Sequence, residues 1–201
     1  GIPVEPAGLG SGAACANQAL LQAIRIGDRT LPGQVIDSVY VAAGYNLPQE
    51  DREKYIDSVL QCKLGDDMCQ GNSTPCAQWP YAMGGDKGVS NTMSVRYCDL
   101  SALAEVQPQM PILWLRGDKD VMVSDHSACD VAVLGQMGFL PNYPGADIFP
   151  SQPMVAQTRY VLERYRANGG RYEEHVIPDS GHGCMLDHED EVAALLRQFI
   201  R

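Results

Sequence analysis

Two apolar runs in the last third of the chain each end in a glycine-containing loop that carries ionisable side chains. The first run covers residues 111–116 and is followed by the turn that ends at Asp120. The second covers 174–177 and is followed by the loop that contains His182. A helical pattern separates them, so the two strands should be parallel neighbours with Asp120 and His182 at the same carboxyl edge. Ligands and catalytic groups collect at that edge in open α/β sheets.

The rest of the pattern alternates helices with strands. Apolar residues at helical spacing predict helices at 13–26, 49–62, 124–134, 153–167 and 189–200. Short apolar runs rich in β-branched residues predict strands at 2–7, 35–43, 111–116 and 174–177. This order predicts an α/β fold, in which a mostly parallel sheet carries helices on both faces.

One segment interrupts the alternation. Residues 64–92 are rich in Gly, Asn, Ser and Pro and show no clear periodicity. We interpret 47–105 as a cap or lid inserted above the sheet edge, because structureless loops of this length are uncommon in compact domains; an ordinary long loop is the alternative. The chain has 201 residues, of which 45% are hydrophobic, and we expect 1–201 to form a single domain around one core.

The charge balance narrows the choice of partners. The formal net charge is -10, so no basic surface is expected to neutralise phosphates, and neither nucleic acid nor an anionic membrane is a predicted partner. No apolar run reaches the roughly 18 residues that a membrane span needs. A small molecule is the partner that we expect.

The chain has seven cysteines, which is many for a cytosolic enzyme. Three of them, Cys62, Cys69 and Cys76, cluster in a polar segment typical of a loop. We expect one or two disulfides, which slightly favours secretion. The spacings are too wide for a zinc motif, so no metal site is predicted.

Three motifs follow one another along the chain. They are the glycine turn Gly8-Leu9-Gly10-Ser11-Gly12-Ala13, the acid turn Gly117-Asp118-Lys119-Asp120 and the histidine loop Ser180-Gly181-His182-Gly183. Their order among the strands and helices resembles the second half of the α/β-hydrolase fold, from the nucleophile elbow to the catalytic histidine. The resemblance covers nearly the whole chain, and the acid turn and histidine loop are its more specific part.

The resemblance implies a Ser-His-Asp site. Ser11 would attack a carbonyl carbon, His182 would take the serine proton, and Asp120 would hold the imidazole. N–H groups of the turn around Gly10 and Gly12 would help to bind the oxyanion. The implied activity is hydrolysis of an ester, lactone or related carbonyl substrate, with no cofactor and no metal.

The glycine turn departs from the family pattern in one respect. The elbow needs small residues two positions before and after the nucleophile. With Gly8 and Gly12 as the small residues, the nucleophile position is Gly10, which has no side chain. A shift of one residue places Ser11 there, but then Leu9 occupies a small-residue position. Both interpretations are open at this point.

The chain also begins only a few residues ahead of this turn, whereas the family has several strands before it. We therefore expect that a second chain or an N-terminal segment completes the sheet. Native mass spectrometry tests this hypothesis, because a soluble monomer of this chain alone would contradict it.

Two other functions compete with the hydrolase. One is a catalytically silent binding protein of the same fold, for which Gly10 is the argument. The other is a His/Asp enzyme that transfers protons without a covalent intermediate, such as a lyase or a cofactor-free oxygenase.

Asp118 is the alternative to Asp120 as the acid that would orient His182.

Overall fold

A computed structural model describes residues 7–201. The strand expected at 2–7 therefore lies almost wholly outside the described residues. The fold is mixed α/β, with 42% of residues in helices and 12% in strands. Among the described residues, none of the helices combines the length and the apolar character that a membrane crossing requires.

The helices and strands have the following bounds. The α-helices are α1 (Gln18–Ile26), α2 (Thr30–Val35), α3 (Gln49–Leu60), α4 (Val131–Gln136), α5 (Met154–Ala167), α6 (Cys184–Asp187) and α7 (Glu189–Ile200). The strands are β1 (Leu64–Gly65), β2 (Cys69–Gln70), β3 (Ser73–Pro75), β4 (Ala82–Gly84), β5 (Ile112–Gly117) and β6 (Tyr172–Ile177). Short 3-10 helices occupy Gly12–Cys15, Val89–Met93 and Ser101–Glu105.

The strand pair that positions the site is β5 and β6. The two strands are parallel, with Leu115 opposite His175 and Gly117 opposite Ile177. Helix α5 lies between them in sequence, so the predicted strand–helix–strand unit is present. Within residues 7–201 neither strand pairs with a third one, and the remaining strands form two separate pairs, β1–β2 and β3–β4. The larger sheet that the sequence predicts is therefore not formed by the described residues.

The strand expected at 35–43 is wrong, because residues 35–40 are helical and residues 41–43 belong to no strand. Helix α2 carries Pro32 in its first turns, and a π-type turn at Ile36–Tyr40 continues it. Arg52 of α3 holds this segment through Asp37, with the Nη2–Oδ2 distance at 2.7 Å. A β-branched run forms a strand only where packing and pairing favour it, and here the neighbouring elements are helices.

The helix expected at 124–134 is also displaced and begins only at α4. Asp130 caps this helix, since its side chain accepts a hydrogen bond from the Ala132 N–H at 2.8 Å. The preceding residues form turns instead, held by Ser127, whose hydroxyl donates to the Met122 carbonyl at 2.5 Å. Serine and aspartate side chains that bond to nearby backbone compete with helix formation in this way.

The other predicted helices are confirmed with small changes at their ends. Helices α3, α5 and α7 match 49–62, 153–167 and 189–200. The helix expected at 13–26 is interrupted, because Asn17 accepts a hydrogen bond from the Leu20 N–H at 3.1 Å and so caps α1.

Two apolar clusters support these elements. In the first, the buried Trp79 makes edge-to-face contacts with Tyr143 and Phe149, at centroid distances of 5.2 and 4.8 Å. Trp79 thus joins the segment 47–105 to the loop before α5. The second cluster consists of Ile177, Cys184 and Val192 with Leu115, and it lies beneath the histidine loop.

Gly117→Ala should destabilise the fold, because a Cβ at this last residue of β5 would run into the backbone carbonyl oxygens of Ser180 and Gly181. We expect a loss of about 1–3 kcal/mol in the free energy of unfolding, as for overpacked sites. Urea denaturation measures it. Gly138→Ala is the control for general glycine effects, because a Cβ there meets nothing within 4 Å and only the positive φ of 81° is unfavourable. A Gly117 variant as stable as the wild type would show that β5 and the histidine loop do not meet as described.

Candidate active site at the carboxyl edge of β5 and β6

The structure brings Asp120 and His182 together. Asp120 lies in the turn after β5, and His182 lies in the loop after β6. The imidazole Nδ1 is 3.0 Å from the Asp120 Oδ2, which is hydrogen-bonding distance. The two loops are also joined through their backbones, since the Lys119 N–H donates to the Ser180 carbonyl at 2.9 Å.

Asp120 is held as a carboxylate by three donors. Its other oxygen, Oδ1, accepts from the backbone N–H groups of Met122 and Val123 at 2.7 and 2.9 Å. Burial raises the pKa of this carboxyl, but the hydrogen bonds from His182, Val123 and Met122 outweigh burial and lower the pKa below its usual value. The side chain is 8% exposed. Asp120 therefore presents a fixed negative charge to the imidazole.

His182 has the properties of a general base. The hydrogen bond to Asp120 raises the pKa of the imidazole above its usual value of 6.5, although burial opposes the change. Because Asp120 binds at Nδ1, the neutral ring carries its proton there and Nε2 is the nitrogen that accepts one. The side chain is 33% exposed, so a substrate can reach the ring.

The alternative acid, Asp118, faces elsewhere. Its carboxylate pairs with the Lys119 ammonium at 3.0 Å, and this hydrogen bond lowers the pKa of Asp118. The structure thus places Asp120, rather than Asp118, on His182.

The histidine loop is organised by Asp187, which sequence reasoning missed. Its side chain is fully buried, and it accepts from the Ser180 hydroxyl at 2.6 Å and from the N–H groups of Gly181 and Ala42 at 2.7 and 3.1 Å. The His188 Nδ1 lies 3.0 Å from the same carboxylate. Burial raises the pKa of Asp187, and these hydrogen bonds reverse the effect and lower it. No local motif marks the residue, because its partners are distributed over three segments.

Tyr40 is a second residue that sequence reasoning missed. Its carbonyl accepts from the Gly183 N–H at 2.7 Å, and its ring packs edge-on against the His182 imidazole with centroids 5.8 Å apart. The segment 35–43 approaches the loop so closely that a Cβ at Gly181 would lie 2.5 Å from the Val41 carbonyl carbon. Misassignment of this segment as a strand hid both contacts.

Ser11 does not share the Asp120–His182 hydrogen-bond network. Its hydroxyl donates to the Gly8 carbonyl at 2.8 Å and lies 2.7 Å from the buried Ser94 hydroxyl. Among the described residues, no hydrogen bond joins Ser11 to His182 or Asp120. The backbone of Ser11 is extended, with φ at -119° and ψ at 169°.

The left-handed backbone of the glycine turn lies at Gly8, Gly10 and Gly12 and not at Ser11. The φ of Gly10 is +60°, and a Cβ there would lie 2.5 Å from the Val131 side chain and 2.9 Å from that of Pro80. The N–H groups of Gly10 and Ser11 donate to the Ala82 and Gly8 carbonyls. Of the two registers that the sequence leaves open, this backbone matches the one with glycine at the nucleophile position.

Gly12, the other residue assigned to the oxyanion turn, is also tightly enclosed. Its φ is +59°, and a Cβ would run into the buried side chain of Asn91. Asn91 holds the turn in place, because its Oδ1 accepts from the Ala13 N–H at 2.9 Å.

The glycine turn packs against helix α4, which follows the acid turn in sequence. Gly10 packs on Val131, the first residue of α4. Desolvation raises the pKa of the Cys129 thiol, and the charge of Asp120 adds to this effect.

A groove of about 740 Å³ opens beside Asp120. Its wall combines apolar residues with four carboxylates and one ammonium: Ser38, Val41, Ala42, Ala43, Tyr45, Asp118, Lys119, Asp120, Val121, Asp179, Asp187 and His188. Its volume suits a small organic ligand. Between residues 7 and 201, no three His, Cys, Asp or Glu side chains gather in a way that could hold a metal ion.

Asp187→Asn should lower the free energy of unfolding by about 3 kcal/mol, because an amide cannot replace a buried carboxylate that accepts several hydrogen bonds. The lowered pKa makes this stabilisation present above the usual pKa of 3.8 and lost as the pH falls through the folded value. Urea denaturation at neutral and acid pH measures both effects. The control is Asp118→Asn, which removes only a surface ion pair. Equal stability of the two variants would contradict the role of Asp187.

His182 should titrate above 6.5, and Asp120→Asn should lower its pKa, since the hydrogen bond that stabilises the imidazolium is weakened while burial persists. The contribution of the charged pair to stability is present below pH 6.5 and lost as the pH rises through the folded pKa. NMR titration of the imidazole measures the pKa, and His182→Ala assigns the resonance. An unchanged pKa in Asp120→Asn would show that the two side chains do not interact in solution.

No protein-family model, curated protein or solved structure matches this chain. The chemical assignment of the site therefore depends on the geometry of Asp120 and His182.

Proposed function

We propose that this chain is a hydrolase of the α/β-hydrolase type that acts on an ester, lactone or related carbonyl substrate. His182 is the general base and Asp120 orients it. The observation that carries the proposal is the 3.0 Å contact between the His182 Nδ1 and the Asp120 Oδ2, at the carboxyl edge of two parallel strands. A buried carboxylate that fixes one nitrogen of an accessible imidazole is the arrangement on which serine hydrolases depend.

The proposed first step is proton transfer. The Nε2 of His182 takes the proton from an attacking hydroxyl, and the anionic Asp120 stabilises the imidazolium that forms. A positioned general base of this kind contributes typically about 10²–10⁴-fold to the rate. The raised pKa of His182 makes its neutral imidazole a stronger base.

The proposed nucleophile is the Ser11 hydroxyl. Its oxygen bonds to the carbonyl carbon, the ester oxygen leaves with the proton that His182 returns, and water then hydrolyses the acyl-serine. For this step the Ser11 hydroxyl must exchange its bonds to Gly8 and Ser94 for one to His182.

The proposed substrate site is the groove beside Asp120. Asp118 and Asp179 place negative charge on its rim, and Lys119 alone among its lining residues is a permanent cation. This balance disfavours anionic substrates, so we expect a neutral ester or lactone. The apolar wall formed by Val41, Ala42 and Val121 would contact its carbon skeleton.

A second candidate is proton transfer without a covalent intermediate, in which His182 acts directly on a substrate or on water. It is favoured by the Ser11 hydroxyl, which is bonded to Gly8 and Ser94 rather than to His182. A catalytically silent binding protein is favoured by the positive φ of Gly10 at the elbow.

A fluorophosphonate probe and a panel of neutral p-nitrophenyl esters and lactones distinguish these functions. We expect the probe to label Ser11, and we expect Ser11→Ala, His182→Ala and Asp120→Asn each to reduce kcat/KM by about 10³–10⁴-fold. His126→Ala, which changes an exposed histidine outside the site, should retain wild-type turnover.

Two other outcomes would reject the serine mechanism. Turnover that depends on His182 but not on Ser11 identifies the non-covalent enzyme. Neither labelling nor turnover, with circular dichroism that shows folded protein, identifies the silent binding protein.

A further inference from the structure

The cysteines at 62 and 69 are brought together by the backbone between them. Cys62 follows the end of α3, and the chain then forms β1, turns, and returns as β2. Strands β1 and β2 are parallel, with Leu64 opposite Cys69. The Cys69 N–H donates to the Lys63 carbonyl at 3.0 Å, so Cys69 lies beside the residue that follows Cys62.

Cys62 is also the neighbouring group that acts on the Cys69 thiol. Burial, and after it Cys62, raise the pKa of Cys69 to about 11, while Cys62 is exposed. Other thiols have other partners: Cys76 donates to the Gln78 Oε1 at 2.8 Å, and Cys15 donates to the Gly12 carbonyl at 3.1 Å.

We propose that Cys62 and Cys69 are a dithiol pair that oxidises to a disulfide. All seven cysteines are free thiols in the structure, and the backbone bond from Cys69 to Lys63, with Leu64 opposite Cys69, keeps this pair close together. The proposal does not depend on the proposed hydrolase activity.

The oxidant is a low-molecular-weight disulfide such as oxidised glutathione. The exposed Cys62 thiol loses its proton and attacks one sulfur of that disulfide, which releases one glutathione thiolate. The Cys69 thiol then loses its proton and attacks the Cys62 sulfur of the mixed disulfide, which releases the second glutathione. The two protein thiols are oxidised by two electrons, and the glutathione disulfide is reduced by the same two electrons.

The ring that this bond closes is connected to the glycine turn. Met68, inside the ring, accepts from the Val89 N–H at 2.8 Å. The nearby Asn91 donates to the Lys87 carbonyl at 2.6 Å and accepts from the Ala13 N–H at 2.9 Å. A disulfide at 62–69 would therefore fix a loop that is linked by hydrogen bonds to the helix after Ser11.

The test is a peptide map of the full chain after exposure to oxidised glutathione. Remaining thiols are alkylated, and the unfolded, unreduced protein is digested with trypsin. Cleavage after Lys63 separates the two cysteines, so peptides 55–63 and 64–87 stay joined only through a disulfide. We expect the joined peptide, lighter by two hydrogen atoms than the two thiol peptides combined, and its complete loss in Cys62→Ser and in Cys69→Ser.

Peptide 64–87 also contains Cys76, so a Cys76→Ser variant completes the assignment. The joined peptide should persist in this variant and in Cys98→Ser, which changes an exposed cysteine outside the ring. A joined peptide that disappears in Cys76→Ser, or a wild-type chain in which Cys62 keeps glutathione while Cys69 is alkylated, would overturn the proposal.

Discussion

The hydrogen bond between His182 and Asp120 depends on how closely the loops after β5 and β6 can approach. At the end of β5 the chain carries Gly117, and any larger residue would collide with the carbonyl oxygens of the histidine loop. The backbone bond from Lys119 to Ser180 then holds the two loops together. Because the strands are parallel and in register up to Gly117 and Ile177, both loops leave the sheet at the same level. The parallel register and the bond from Lys119 to Ser180 bring the two loops together, and the Asp187 side chain then holds the histidine loop in place.

The two halves of the candidate site are organised to different degrees. His182 is fixed on several sides, by Asp120, by the Tyr40 ring and through the loop that Asp187 holds. Ser11 is fixed as well, but by the Gly8 carbonyl and the Ser94 hydroxyl. A serine hydrolase needs its nucleophile and base within hydrogen-bond reach, although apo geometry is often longer than that of the substrate complex. The proposed base is therefore preorganised in this structure, whereas the proposed nucleophile is held in a state that a substrate would have to change.

The parts of the site that follow local rules could be predicted from the sequence. The apolar runs before Asp120 and His182 predict buried parallel strands, and the helical pattern between them predicts the connection. The helical structure of the segment 35–43 could not be predicted, because its β-branched residues favour a strand at least as much as a helix. The contacts that hold it as a helix, such as the ion pair between Asp37 and Arg52, come from other segments of the chain. An interpretation of this segment as a strand does not place Tyr40 against His182. Residues 7–201 do not form the larger parallel sheet for the same reason, because its expected strand at 35–43 is helical over 35–40.

Two buried polar side chains show why some functional residues lie beyond local reasoning. Asp187 accepts from Ser180, Gly181 and Ala42, and Asn91 joins Ala13 to Lys87 and Asn72. Each connects segments that are far apart in sequence, and each would leave several backbone groups unpaired if it were replaced by an apolar residue. Asp187 fixes the loop of the base, and Asn91 fixes the turn of the proposed nucleophile. The relative position of the proposed base and the proposed nucleophile therefore depends on two polar side chains, Asp187 and Asn91, that neither turn motif contains. Matching the motifs alone could not place Ser11 relative to His182.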